Sequence, residues 1–228
     1  MRAVVPVRDG VLPAGGAETV AECGGAATLI GSRAVDAARE LGGIATELTV
    51  IERDHFAAAE WAAVLAGHLA GEAHIVLPAS PDGRDLAPRL AAALRRDLLA
   101  GAMSVTPERI DLVRGAGLVI SEVRPPDQFV ATLQPGGRGV ELDPSLPESA
   151  VRVVDVSLDH TTVDVDVIET LAPDAATMDL AESKRILGGG AGLSGAPAFA
   201  DLTLLAARLD ASMGATRVIT DRGWVGHE

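Results

Sequence analysis

"GGGAGLSG", residues 188–195, contains Gly190-Ala191-Gly192-Leu193-Ser194-Gly195, the GxGxxG spacing of a dinucleotide-binding turn. Its surroundings carry the right periodicities. Lys184-Arg185-Ile186-Leu187 reads as an incoming strand, and Phe199, Leu202, Ala206, Leu209 and Met213 recur at helical spacing over 196–213. Pro197 falls in the first turn of that helix, where its missing N–H costs nothing. Arg217-Val218-Ile219-Thr220 then reads as a second strand, ending at Asp221, where an acid could meet a ribose. A complete dinucleotide domain requires two βαβαβ halves, and residues 184–228 supply a single βαβ unit. The glycine run is therefore a strand-to-helix turn in a partial α/β unit, with a ligand or without one.

Upstream of this unit, strands and helices alternate. "MRAVVPV" (1–7), "AATLIG" (26–31), "IATELTVI" (44–51) and "AHIVLPA" (73–79) are short Val/Ile/Leu-bearing runs with little strict alternation, as expected of strands covered on both faces. Between them lie helical segments from Ser32 to Leu41, with Ser32 as N-cap, from His55 to Ala70, and from Asp85 to Leu98. After Gly101 the chain turns β-rich, in "RIDLVRG", "GLVISEVRP", "QFVATLQP", "AVRVVDVSL" and "TTVDVDVIET". "GGRGVELDPSLPESA" (136–150) is a Gly/Pro-rich connector, and "LAPDAATMDLAES" (171–183) reads as an interdomain link. The expected organisation is an α/β domain with a mostly parallel, helix-flanked sheet over residues 1–174, followed by an incomplete α/β unit over 175–228.

Composition supports this class. The 228 residues are 48% apolar but only 2% aromatic, with 25 Gly and no Tyr, which suits Ala/Val/Leu-built α/β layers better than a β-sandwich. A formal charge of −13 argues against nucleic acid, whose phosphates need a basic face. No apolar run is long enough to span a bilayer and no charged-then-apolar leader opens the chain, so a cytoplasmic location without membrane insertion is expected. Cys23 is the single cysteine, which excludes an intrachain disulfide. The histidines, at 55, 68, 74, 160 and 227, have no metal-binding spacing, and Ser80 lies in no nucleophile elbow. Asp82, Arg84, Asp85 and Arg89 cluster at a helix start, where they serve either capping and i,i+4 pairing or positioning at a partner-subunit interface.

Two stretches resemble the electron transfer flavoprotein alpha subunit. "LPASPDGRDLAPRLAAAL" (77–94) is similar to the family's small-residue loop, Gly-Arg/Lys-Asp and Pro-Arg followed by an Ala/Leu helix. Residues 188–228 resemble the start of its FAD-binding domain: a glycine loop, a helix, a Gly-Ala-Ser-Arg turn and Asp-x-Gly-aromatic-Val. The resemblance implies an electron carrier that binds FAD and a beta-type subunit, taking electrons from a partner dehydrogenase. It also implies that Gly189, Gly190, Ala191, Gly192, Thr216 and Arg217 face the cofactor. Thr216 stands where the family has a flavin-contacting Ser, and Ala191 where its loop has an Arg. The family continues into further FAD-holding loops after the segment matched by Gly226-His227-Glu228, so most of the FAD site is expected to be missing from residues 1–228. Some family members accompany redox-cofactor gene clusters such as mycofactocin systems, and a divergent chain of this kind fits among them. Two alternatives stay open: a flavin-free docking subunit derived from the same family, and a nucleotide-binding enzyme of another α/β family.

Overall fold

The computed structural model describes residues 1–146, 151–155, 163–165, 168–169, 174–175, 180 and 183–226. The chain divides into two compact units, Met1–Val167 and Ile168–Glu228. In the first unit the order is β1 (Arg2–Val7), α1 (Gly16–Glu22), β2 (Ala26–Gly31), α2 (Ala34–Ala38) with a 3-10 turn at Arg39–Leu41, β3 (Glu47–Glu52), α3 (Ala58–His68), β4 (His74–Pro78) and α4 (Pro81–Leu94). There follow β5 (Asp97–Val105), β6 (Ile110–Arg114), β7 (Val119–Val123), β8 (Phe129–Leu133) and β9 (Val151–Val153). Among the described residues these strands form one sheet in the order β7-β6-β5-β8-β4-β1-β2-β3-β9. All pairings are parallel except β5–β6 and β6–β7, which make an antiparallel margin.

The apolar runs become central strands because both faces are covered. Ala3, Val5 and Val7 point with Leu29 and Val50 toward Val20, Ala37 and Leu41 of the α1/α2 layer. Val4, Ile30, Ile51, Ile75 and Leu77 point the other way, into Trp61, Leu65, Leu86 and Leu90 of α3 and α4. Each fully buried Leu, Ile or Val is worth roughly 1.5–3 kcal/mol relative to exposure, so a strand buried on both faces gains at every position.

Several boundaries differ from the sequence reading for local reasons. Ser32 does not cap α2: Arg33 holds the cap position at φ 53°, and the Ser32 Oγ instead accepts the Asp9 N–H at 2.8 Å. The orphan donors of α2 are met from a distance, Val35 N–H donating to Glu52 Oε1 at 2.9 Å. The helix expected from Asp85 begins at Pro81, with Ser80 as its cap accepting the Gly83 N–H at 3.2 Å. It ends at Leu94, and Leu98 belongs to β5. Helix α1 had no counterpart in the sequence reading, because a double glycine opens it. Half of "TTVDVDVIET" and most of "LAPDAATMDLAES", together with His160, His227 and Glu228, lie outside the described residues.

Candidate functional site

The second unit contains a βαβ element. Strand β10 (Ile186–Gly189) runs parallel to β11 (Ser212–Ala215), with Ile186 opposite Ser212 and Gly189 opposite Ala215, and α5 (Ala196–Arg208) connects them. The short helix α6 (Arg217–Asp221) follows. The second strand is thus Ser212–Ala215, and Arg217–Thr220, read as that strand from its β-branched residues, is helical. The cause is the helix stop. α5 ends at Arg208, Asp210 takes φ 50°, a conformation Asp tolerates better than most residues, and the chain reverses three residues before Met213. Asp221 therefore ends no strand: it sits in α6, 3.6 Å from Arg217 Nε.

Because the strands are parallel and end together, residues 190–195 and Thr216 leave the same, carboxyl end of the two-stranded sheet. The Thr216 N–H donates to the Gly189 carbonyl at 2.9 Å. A Cβ on Gly190 would stand 3.4 Å from Thr216 Cγ2 and 3.6 Å from its Oγ1, so these two residues lie side by side. The Leu193 N–H donates to the Gly190 carbonyl at 3.1 Å and turns the loop over Ala191 and Gly192, both exposed. Gly192 has open space where a side chain would project. Thr216 is exposed, and its hydroxyl does not cap α6. The Arg217 side chain is 90% exposed, which leaves its charge available to a ligand.

The packing of the glycines decides what the GxGxxG spacing means. In a dinucleotide fingerprint the last glycine permits close helix–strand approach. Gly195 has only Pro197 Cδ near its missing side chain, at 3.5 Å, and its φ of 169° is extended backbone open to any residue. The close approach is made by Gly189 instead, where a Cβ would stand 2.9 Å from Phe199 Cε2. The register of the loop is therefore set by Gly189, one residue before the apparent motif.

The family profile for the electron transfer flavoprotein domain matches residues 16–157, well over half of the chain. The profile for the electron transfer flavoprotein FAD-binding domain matches residues 179–228, the segment that holds this loop. The chain belongs to the electron transfer flavoprotein alpha-subunit family. It is 28% identical over 204 residues to the mitochondrial electron transfer flavoprotein subunit alpha of Oryza sativa subsp. indica, a match covering 81% of this chain and 55% of that protein. The subunit alpha of Bacillus subtilis (strain 168) is 32% identical over 145 residues, covering 61% and 44%. That of Paracoccus denitrificans is 26% identical over 213 residues, covering 90% and 66%. The chain spans about half the length of the first of these curated relatives.

Several chemistry-bearing groups of the first unit are engaged in structure. Ser80 is 2% exposed and caps α4, which leaves it no role as a nucleophile. Asp85 pairs with Arg89 one turn on, as the i,i+4 reading expects. Burial pushes the Cys23 thiol up to about 12. A groove of about 750 Å³ lies under residues 137–146, but its charged pair is internal: Glu22 accepts from Arg138 at 2.7 Å and from the Val105 N–H at 2.6 Å. No cluster of His, Cys, Asp or Glu fit for a metal occurs among the described residues. Among them, no helix is long and apolar enough to cross a membrane. Sequence reasoning passed over Phe199 as one more apolar position of a helix. Its signal was its size, as one of three Phe in a chain with little aromatic content.

Proposed function

We propose that this chain acts as the alpha-type subunit of a cytoplasmic electron transfer flavoprotein. It would pair with a beta-type subunit and carry electrons from a partner dehydrogenase through FAD to a further acceptor. The observation that carries this reading is the meeting of Gly190 and Thr216 at the common end of β10 and β11, inside the segment matched by the FAD-binding family. A flat ring comes closest where no Cβ projects, and Gly192, open at that position, offers such a place next to Gly190 and the Thr216 hydroxyl packed against it. The residues present thus fit one side of a flavin.

The roles follow from position. Gly189, Gly190, Ala191 and Gly192 line the approach, Thr216 offers its hydroxyl to a ring heteroatom, and Arg217 stabilises negative charge on the reduced cofactor. FAD supplies the one- and two-electron chemistry when bound. Residues 1–174 form the scaffold domain in this reading, and residues 175–228 carry the flavin-facing segment.

Coexpression with a beta-type subunit, followed by gel filtration and flavin absorbance of the complex, tests the proposal. Flavin coeluting with the complex is the expected result. A stable complex free of flavin would instead favour a docking subunit.

A further inference from the structure

Phe199 is buried, with 8% of its surface exposed, and its ring occupies the space a side chain on Gly189 would need. That side chain would stand 2.9 Å from Cε2 of the ring, closer than real Cβ atoms come, and 3.0 Å from Cδ2 and 3.2 Å from Leu193 Cδ1, both tight contacts. Gly189 is also the residue whose carbonyl receives the Thr216 N–H. The contact sequence therefore runs from α5 through Phe199 to Gly189, and from Gly189 to Thr216 across the sheet. Helix α5 adds its own brace, since the Thr203 hydroxyl donates to the Phe199 carbonyl at 3.0 Å.

We propose that Phe199 is a positioning residue for Thr216: by seating its ring against Gly189 it fixes the end of β10, and thereby the placement of Thr216 beside Gly190. The importance of this placement for cofactor binding rests on the flavin reading above, but the placement itself does not. Phe199 touches no ligand in this scheme. Its effect passes through one glycine and one backbone hydrogen bond, so a volume change on either side of the Phe199–Gly189 contact reaches Thr216.

The test is a pair of variants with a rescue, read by amide hydrogen exchange on the full chain. Gly189→Ala should accelerate exchange at the Thr216 amide by about tenfold or more, the loss of roughly 1.4 kcal/mol of local protection. The Leu209 amide, bonded within α5, should stay within about threefold of its normal rate, which separates a local shift from unfolding of the unit. Phe199→Leu in the Gly189→Ala background makes room for the added methyl and should return Thr216 to within about threefold of its original rate. Gly188→Ala, at a glycine with open space around it, is the control without effect on Thr216. Should Gly189→Ala fail to fold, Phe199→Ala removes the support without adding volume, and the same acceleration at Thr216 is expected.

FAD titration of each variant in complex with a beta-type subunit gives the second readout: the dissociation constant should rise about tenfold in Gly189→Ala and recover in the double variant. Unchanged Thr216 exchange in both Gly189→Ala and Phe199→Ala, or a double variant no better than Gly189→Ala alone, overturns the proposal. A rescued exchange pattern in complexes that never bind FAD upholds the positioning and removes the flavin reading.

Discussion

Arg8 donates both Nε and Nη2 to the carboxylate of Asp82, at 2.6 and 2.7 Å, tying the end of β1 to the first turn of α4. The guanidinium also stands 5.0 Å from the centre of the Phe56 ring. In the strand order β4-β1-β2, the chain reverses direction across the sheet between β1 and β4, where open α/β sheets usually bind ligands. Here that crevice is bridged from within.

The bridge should be measurable but modest. Arg8 is half exposed, and the fork-to-fork geometry offsets only part of the solvent screening, so a double-mutant cycle of Arg8→Ala and Asp82→Ala should give a coupling of about 0.5–1 kcal/mol. Urea denaturation in low and high salt reads it. A coupling that grows with salt would contradict an ionic origin.

Asp164 stabilises α3 from outside the helix. Its Oδ2 accepts the Ala59 and Glu60 N–H groups at 2.7 and 2.9 Å, two of the donors the first turn leaves unmet. Burial pushes its carboxyl up, but the hydrogen bonds from Glu60, Val165 and Ala59 and the charge of Arg89 together hold it below the ordinary carboxylate value. A lowered folded-state pKa means the carboxylate stabilises the fold above the unfolded value of 3.8, and that this contribution is lost as pH falls below it. Asp164→Ala should cost about 1 kcal/mol near neutrality and flatten the acid limb of the stability curve. Equal slopes for both proteins below pH ~4 would remove Asp164 from that role.

Two glycines mark opposite extremes of backbone tolerance. Gly31 takes φ 142°, and a Cβ there would stand 1.9 Å from the Val7 carbonyl oxygen, at the carboxyl end of the paired strands β1 and β2. Gly31→Ala is expected to cost about 3 kcal/mol or more, since rigid backbone must move. Gly67 lies near the end of α3 with nothing within 4 Å and no positive φ, so Gly67→Ala should stabilise by about 0.5 kcal/mol. Thermal denaturation of the two variants should move in opposite directions.

Cys23 reports on the first unit. It is 7% exposed, and desolvation pushes its thiol up to about 12, so at pH 8 almost none of it is thiolate. Iodoacetamide should label native protein only at the rate of opening, and denatured protein at once. The sign of the linkage follows from the raised value. The neutral thiol is compatible with the fold below the unfolded pKa of 9.0, and stability falls as pH rises from there toward 12. Cys23→Ala should soften that alkaline loss.

The parallel core was legible because burial on both faces writes near-continuous apolar runs, as in Ala3–Val7 and in Ala27–Ile30, where Thr28 is the one polar residue. Strand β11 was not. Ser-Met-Gly-Ala has no β-branched residue, and it is a strand because β10 offers it a ladder 26 residues away. Arg217–Asp221 shows the converse: Val, Ile and Thr favour a strand, yet Ile219 alone is buried and the segment winds into one helical turn. At the site, the glycine loop could be read from composition. The contact that gives Gly189 its meaning joins residues 189 and 199 through a ring, and local patterns do not encode it.

The flavin reading places positions 191 and 217 near a developing negative charge, and this can be tested electrochemically. Ala191 is exposed at the turn of the loop, and Arg217 is the cation next to Thr216. A guanidinium close to the ring stabilises the reduced cofactor over the oxidised one, and about 1.4 kcal/mol of that preference is roughly 60 mV for one electron. In a flavin-loaded complex, Ala191→Arg should raise the first reduction potential by about that amount, and Arg217→Gln should lower it similarly. Arg217 already has Asp221 at 3.6 Å, so Asp221→Asn should enlarge the effect of Arg217 and move the potential upward. Dye-linked titration of the three variants reads these shifts. Potentials that stay together in all three would mean that neither 191 nor 217 faces the ring, and that the loop presents its glycines to something other than flavin.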